Sequence, residues 1–143
     1  MAGNYCRVYV HLVWKTWDKL PLLQPDVVSI AYKVILSKAQ DNSCPVLAIG
    51  GVEDHVHVVI RLHSTAQISK VVREMKSGSS HEINVARPGK FFEWQGSYGA
   101  LSVSESALQT VIRYVENQAD HHKRNYLKNE LETIDLDEDG PEG

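Results

Sequence analysis

Long apolar runs are absent from this chain of 143 residues, and its first residues lack the charged and apolar regions of a signal peptide. We therefore expect no membrane association and a cytoplasmic protein. Cysteine is also scarce. Cys6 and Cys44 each lie in an apolar, strand-like context, which is typical of reduced core residues and not of a disulfide framework or a thiolate metal site. The length fits one domain with a core of its own.

Basic residues are missing from the C-terminal end, where residues 130–143 contain seven acidic side chains and no Lys or Arg. The first 129 residues contain the other eleven acids and all fifteen Lys and Arg, so their formal charge is +4. A mildly basic body is compatible with a nucleic-acid partner, and equally with an ordinary solvated surface. The acidic end has too little apolar surface to fold. We expect a domain over residues 1–129 and a disordered tail over 130–143.

Apolar periodicity predicts four strands. Alternation with a period of two predicts strands over residues 5–15 and 53–62, and short apolar runs predict two more over 44–49 and near 101–103. The glycine pair at 50–51 would allow the turn of an antiparallel hairpin between the second and third strands. The third strand should then lie in the interior of the sheet.

Helical spacing predicts three helices. The first begins at Pro25 and ends at Asp41, the second follows a capping box at residues 64–67, and the third is capped by Ser104. A polar loop is expected over residues 78–90. The order strand, helix, strand, strand, helix, strand, helix predicts an α+β, ferredoxin-like (RRM-like) split βαβ sandwich. Its antiparallel sheet should have helices on one face, an extra C-terminal helix, and an open second face.

Two imidazoles stand out on the third strand. His55 and His57 point to one face of the strand, while Val56 and Val58 point to the other. Imidazole is the commonest metal-binding side chain, and two of them at i and i+2 can converge on one ion. The same pair also occurs on ordinary polar sheet faces. A zinc site that adds His63 is disfavoured, because His63 follows the strand end and no thiol joins it.

Two basic surfaces could contact a phosphate backbone. One is the polar face of the first strand, and the other is one side of the second helix. Both patterns are also typical of solvated faces. The residues are Arg7, Tyr9, His11 and Lys15 on the strand, and Lys70, Arg73 and Lys76 on the helix.

The last helix carries Tyr114 and Gln118, four residues apart at one border of its apolar stripe. Their side chains can reach the same point. Together with the histidine strand, this helix resembles the single-tyrosine HUH transposases of the insertion-sequence 200/605 type, which include the REP-associated tyrosine transposases. Residues 54–60 resemble the motif of histidine, hydrophobic residue, histidine, and residues 113–118 with His121-His122 resemble the catalytic helix. Residues 10–16 and 94–103 resemble the family's first strand and the approach to that helix.

The resemblance implies that His55, His57 and Gln118 bind a divalent metal ion, Mg²⁺ or Mn²⁺, and that Tyr114 is the nucleophile. The family cuts and rejoins single-stranded DNA through a 5′-phosphotyrosine link, without nucleotide hydrolysis. It recognises hairpin ends and acts as a homodimer, so the resemblance also implies an active site shared between subunits. The alternative is a domesticated or regulatory module that binds single-stranded nucleic acid without cutting it.

Overall fold

The structure is a computed structural model that describes residues 5–118. The boundary expected at 129 and the acidic tail over 130–143 lie outside the described residues, as do His121 and His122. The strands and helices, in chain order, are β1 (Val8–Lys15), α1 (Pro25–Asp41), β2 (Val46–Val52), β3 (His55–Leu62), α2 (Ile68–Ala86), β4 (Gly99–Val103) and α3 (Leu108–Glu116).

The four strands form one antiparallel sheet in the order β2-β3-β1-β4. This is the strand order of the ferredoxin-like split βαβ fold, so the predicted fold class is confirmed. The histidine strand β3 lies between β2 and β1, in the interior of the sheet as expected. Between residues 5 and 118, no helix is both long and apolar enough to cross a bilayer.

The main core lies between α1, α2 and one face of the sheet. Alternate residues of β1 and β3 point into it, because side chains alternate along a strand. Both helices turn their apolar stripes toward them. The sheet contributes Val10, Leu12, Trp14, Val56, Val58 and Ile60, and the helices contribute Val27, Ala31, Ile35, Ala39, Val71, Val72, Met75 and Ile83.

The second sheet face is not open, which corrects the sequence-based expectation. Helix α3 packs on it, and Val111, Tyr114 and Val115 form a second buried cluster with Ala48 and Val59. The strongly amphipathic pattern of α3 explains this, because its apolar stripe needs a partner surface. The face that carries the histidines is therefore covered by the helix that carries the tyrosine.

The expected turn at residues 50–51 is wrong for a related reason. Strand β2 continues through both glycines to Val52, and the turn falls at residues 53–54. Gly50 is needed for close approach, since a Cβ there would lie 2.1 Å from the carbonyl oxygen of Val115. Gly50 also pairs with His57 in the strand register. The absence of a side chain at Gly50 thus lets α3 lie directly on the sheet beside His57.

Helix α2 is longer than predicted and starts differently. It extends to Ala86, through most of the expected polar loop, and begins after Gln67 without a side-chain capping bond. Ser79 is a buried polar residue of this helix: its Oγ donates to Met75 O of the same helix at 2.6 Å and accepts from Trp94 Nε1 at 2.9 Å. The bond from Trp94 is a tertiary contact that satisfies this polar group within the fold.

Candidate active site

His55 and His57 lie side by side on β3, with their ring centroids 5.0 Å apart. They are on the predicted face, but they are buried, and His57 has no exposed surface at all. The cause is the packing of α3 on this face. In this arrangement the two imidazoles lie in an enclosed environment, where charges and dipoles act more strongly than in water.

Tyr114 lies against His57 of its own chain. Its ring meets the His57 ring edge to face, with centroids 5.7 Å apart and an interplanar angle of 87°. One turn further along, Gln118 Nε2 donates to the carbonyl oxygen of Tyr114 at 3.3 Å. Tyr114 and Gln118 are both buried, with only 2% and 1% of their surface exposed. The structure therefore brings the predicted nucleophile into contact with one of the two predicted imidazole ligands.

Each imidazole is oriented by a second polar group. His55 Nδ1 is 2.7 Å from Asp54 Oδ1, and His57 Nδ1 is 2.8 Å from His11 Nε2. Both hydrogen bonds use Nδ1, so a metal ion would be bound through Nε2 of each ring. A carboxylate or other acceptor behind a ligating histidine is the usual arrangement at metal sites, because it fixes the ring and its tautomer.

The donor set fits a divalent ion. Within residues 5–118 no group of three His, Cys, Asp or Glu side chains is placed to hold a metal, so a third protein ligand must be of another type. Gln118, two residues beyond the end of α3, is the predicted third ligand and would contribute an amide oxygen. Two imidazoles and one amide suit Mn²⁺ better than Mg²⁺, which prefers oxygen ligands alone. His63 does not extend the set toward zinc, since it is exposed and its Nδ1 bonds to Thr65 Oγ1 at 2.9 Å.

The first predicted DNA-binding surface is largely buried in this structure, and its contact with DNA stays a prediction. Tyr9, His11 and Lys15 are buried. Their strand, β1, lies in the interior of the sheet, and their side chains point to the face on which α3 packs. Burial lowers the pKa of His11 to about 4, so its ring is neutral near pH 7. Arg7 is exposed and forms an ion pair with Glu105.

The second predicted DNA-binding surface lies on α2, on the opposite side of the sheet from the histidines. Lys70 and Arg73 are exposed, and Lys70 Nζ is 3.4 Å from Glu74. Lys76 is half-buried; its Nζ donates to the carbonyl oxygens of Gln95 at 2.6 Å and Ser97 at 3.1 Å, and burial lowers its pKa to about 8. These residues do not join the histidine cluster, and their contacts with DNA stay a prediction.

Sequence reasoning missed the contacts of two residues. Asp54 was not among the predicted site residues, and His11 was assigned to a DNA-binding surface. The local signal for Asp54 was its position directly before His55. The signal for His11 was weaker, because it lies 46 residues from His57 and depends on the strand register.

The chain is similar to known proteins over most of its length. Residues 4–118 match the model of a family described as IS200-like transposases. The chain is 26% identical to the ISDra2 transposase TnpA of Deinococcus radiodurans, over 82% of this chain and 89% of the relative.

Two solved structures share the fold. One, from Deinococcus radiodurans and assigned as a transposase, is 25% identical with a TM-score of 0.67, and the match covers 82% of this chain and 95% of that one. The other is a REP-associated tyrosine transposase bound to a REP hairpin. It is 14% identical with a TM-score of 0.64, and the match covers 85% of this chain and 73% of that one. At that identity the second likeness concerns the fold alone.

Proposed function

The chain belongs to the family of IS200-like transposases, and from that premise we propose that it cuts and rejoins single-stranded DNA through a covalent 5′-phosphotyrosine intermediate. Tyr114 is the nucleophile. The observation that carries the proposal is the contact between the Tyr114 ring and the His57 ring, at a centroid distance of 5.7 Å. This contact places a tyrosine, whose hydroxyl can attack phosphorus, beside a histidine that can bind a metal ion.

The proposed step exchanges one phosphodiester for another. Tyr114 Oη forms a bond to the phosphorus, the bond from phosphorus to the 3′ oxygen breaks, and the phenolic proton is balanced by the one that the departing 3′ oxygen takes up. The phosphotyrosine retains the ester bond, so rejoining needs no nucleotide hydrolysis. Tyrosine has a reference pKa of about 10, so its hydroxyl attacks at neutral pH only where the developing charge is stabilised.

His55, His57 and Gln118 would hold the ion, Mg²⁺ or Mn²⁺. When bound, such an ion orients the scissile phosphate and polarises its oxygens. These three side chains are neutral as ligands, so they leave the positive charge of the site undiminished for the phosphate. Asp54 holds the His55 ring by its Nδ1 at 2.7 Å, which strengthens His55 as a donor.

The packing of α3 on the histidine face prevents DNA from reaching Tyr114 and His57. Tyr114 of α3 packs against His57 of the sheet and both are buried, so a phosphate cannot pass between them without displacement of that helix. We therefore propose that α3 leaves its own sheet before cleavage and that, in a homodimer, it completes the partner's site. Single-stranded DNA with hairpin ends is the proposed substrate. The binding of a hairpin by the REP-associated transposase of the same fold supports this choice.

The test is formation of a covalent adduct. Labelled single-stranded hairpin DNA is incubated with the protein and Mn²⁺, and the products are separated under denaturing conditions. We expect an adduct with the natural protein and none with Tyr114→Phe, while DNA binding stays within a few fold. Tyr98→Phe is the matched control, because Tyr98 is exposed and lies outside the histidine cluster.

An undiminished adduct in Tyr114→Phe would assign the nucleophile to another residue. If the protein is instead a binding module without cleavage activity, the natural protein will bind the hairpin in the same assay and give no adduct with either metal ion.

A further inference from the structure

His11 is a histidine buried without exposed surface, next to the candidate metal ligands but not one of them. Its Nε2 is 2.8 Å from Nδ1 of His57, and the two rings stack with centroids 5.0 Å apart. We propose that His11 is a positioning residue: it accepts a hydrogen bond from Nδ1–H of His57 and so presents the Nε2 lone pair of His57 to the metal ion. The inference rests on the proposed metal site at His55 and His57.

The geometry allows two placements of one proton. Two ring nitrogens at 2.8 Å share a single hydrogen, which is carried by either His57 Nδ1 or His11 Nε2. If His11 Nε2 carries it, neutral His57 must carry its own proton on Nε2 and cannot bind a metal ion there. If His57 Nδ1 carries it, Nε2 has a lone pair. Only the second placement is compatible with His57 as a ligand.

The strand register holds His11 in this position. His57 pairs with Val13 and His11 pairs with Val59, so His11 and His57 are diagonal neighbours on adjacent strands. Diagonal residues on one sheet face are about 7–8 Å apart at the backbone, within reach of long side chains. Both rings are on interior strands and fully buried. Water therefore cannot easily replace His11 as the acceptor.

Core packing alone does not account for an imidazole at position 11. Within the described part of the chain, Nδ1 of the His11 ring makes no hydrogen bond. The ring's hydrogen bond is the one that Nε2 makes to His57. Burial of a polar ring with one nitrogen unpaired is unfavourable, and an apolar residue would fill the same space without that penalty. The bond to His57 is the feature that an apolar residue could not reproduce.

The two candidate ligands thus have acceptors of different charge. Asp54 stands behind His55 and a neutral imidazole stands behind His57. A second carboxylate behind His57 would reduce the positive charge that the site offers to a phosphate. His11 orients the ring without that reduction.

The test combines metal affinity with the tautomer of His57. Titration with MnCl₂ gives the dissociation constant, and ¹⁵N NMR of the metal-free protein shows which nitrogen of His57 is protonated. His11→Phe removes the acceptor and keeps a planar ring, whereas His11→Gln retains an acceptor oxygen at a similar reach. Val59→Ala is the control for a loss of packing, because Val59 is buried on the same face opposite His11.

We expect His57 to be protonated at Nδ1 in the natural protein. In His11→Phe the Mn²⁺ dissociation constant should rise about 10- to 100-fold, the usual effect of removing an orienting partner. His11→Gln and Val59→Ala should stay within a few fold of the natural protein. The Gln variant and the NMR measurement keep the test decisive if His11→Phe fails to fold.

The outcomes separate the two proposals. A natural protein that binds no Mn²⁺ would refute the metal site of the proposed function, while the tautomer measurement would still test His11. Protonation of His57 at Nε2, or unchanged Mn²⁺ affinity in His11→Phe, would overturn the role of His11 and leave the proposed cleavage reaction standing.

Discussion

At the scale of single residues, His57 is part of the packed core of the site as well as a proposed metal ligand. It is fully buried between the His11 ring and the Tyr114 ring, and it shares a hydrogen bond with the former. Removal of such a side chain leaves a cavity and an unpaired imidazole. A change at His57 is therefore expected to affect folding as well as the proposed metal binding.

We predict that His57→Ala lowers the free energy of unfolding by about 2–5 kcal/mol, the range for large buried side chains cut to alanine. His55→Ala should lower it less, because His55 begins the strand and retains some exposure. Both variants should lose the DNA adduct. Urea unfolding measures the first effect, and equal stability of His57→Ala and the natural protein would show that the cavity collapses without penalty.

Lys76 gives a pH-dependent prediction. Its Nζ donates to two carbonyl oxygens, and burial lowers its pKa from 10.5 to about 8. The neutral amine of Lys76 still has two N–H groups, enough for both hydrogen bonds. Loss of the third proton therefore removes the buried charge and keeps the bonds. Because the folded-state pKa is below the unfolded one, the unfolded chain binds more protons between pH 8 and 10.5. The Lys76 contribution to stability therefore rises with pH across that window.

The measurement for Lys76 is an NMR titration of its side-chain Cε, combined with urea unfolding at several pH values. The Cε signal should titrate near pH 8, and Lys76→Gln should lack the stability gain that the natural protein shows above that pH. A Lys76 signal that stays in its charged form up to pH 10 would contradict the prediction.

At the scale of secondary structure elements, the contact of α3 with β2 controls the candidate site. The carbonyl oxygen of Val115 occupies the space that a Cβ at Gly50 would need, and Gly50 is the register partner of His57. The backbone has to move if any side chain is added at Gly50. Displacement of α3 would also displace Tyr114 from His57.

We predict that Gly50→Ala destabilises the protein by about 1–3 kcal/mol, as overpacking does. Amide hydrogens of α3 should exchange faster, since the helix no longer lies against the sheet. Gly96→Ala is the matched control, because a Cβ there meets nothing within 4 Å. Unchanged amide hydrogen exchange in α3 of the Gly50→Ala variant would mean that β2 moves to relieve the clash and the helix stays in place.

At the scale of the whole molecule, the question is which chain supplies the nucleophile to each site during cleavage. The described chain holds Tyr114 on its own His57, in a buried contact that excludes DNA. If α3 leaves this position, as proposed, it can complete the site of a partner subunit. The homodimer with shared sites stays a prediction.

Mixed dimers of Tyr114→Phe and His57→Asn test this prediction. If α3 acts on the partner, a heterodimer has one site with both defects and one with neither. Half of randomly mixed dimers are heterodimers, so activity should return to about a quarter of the natural level. A tagged pull-down confirms that subunits exchange. A verified heterodimer without activity would indicate that each chain uses its own tyrosine.

The sequence by itself determined the order of strands and helices, the face that His55 and His57 share, and the proximity of Tyr114 to Gln118. These features depend on local periods of two and 3.6 residues, which are visible within about ten residues of chain. The sequence also placed β3 inside the sheet, because a short hairpin joins it to β2.

Only the tertiary structure decided that the histidine face is closed, that Gly50 is a contact point for α3 and not a turn, and that α2 continues to Ala86. It also decided that His11 is buried against His57 and does not lie on an exposed surface. Each of these depends on residues far apart in sequence. Burial and hydrogen-bond partners are properties of packed elements, and the same alternating pattern fits an exposed strand face and a covered one.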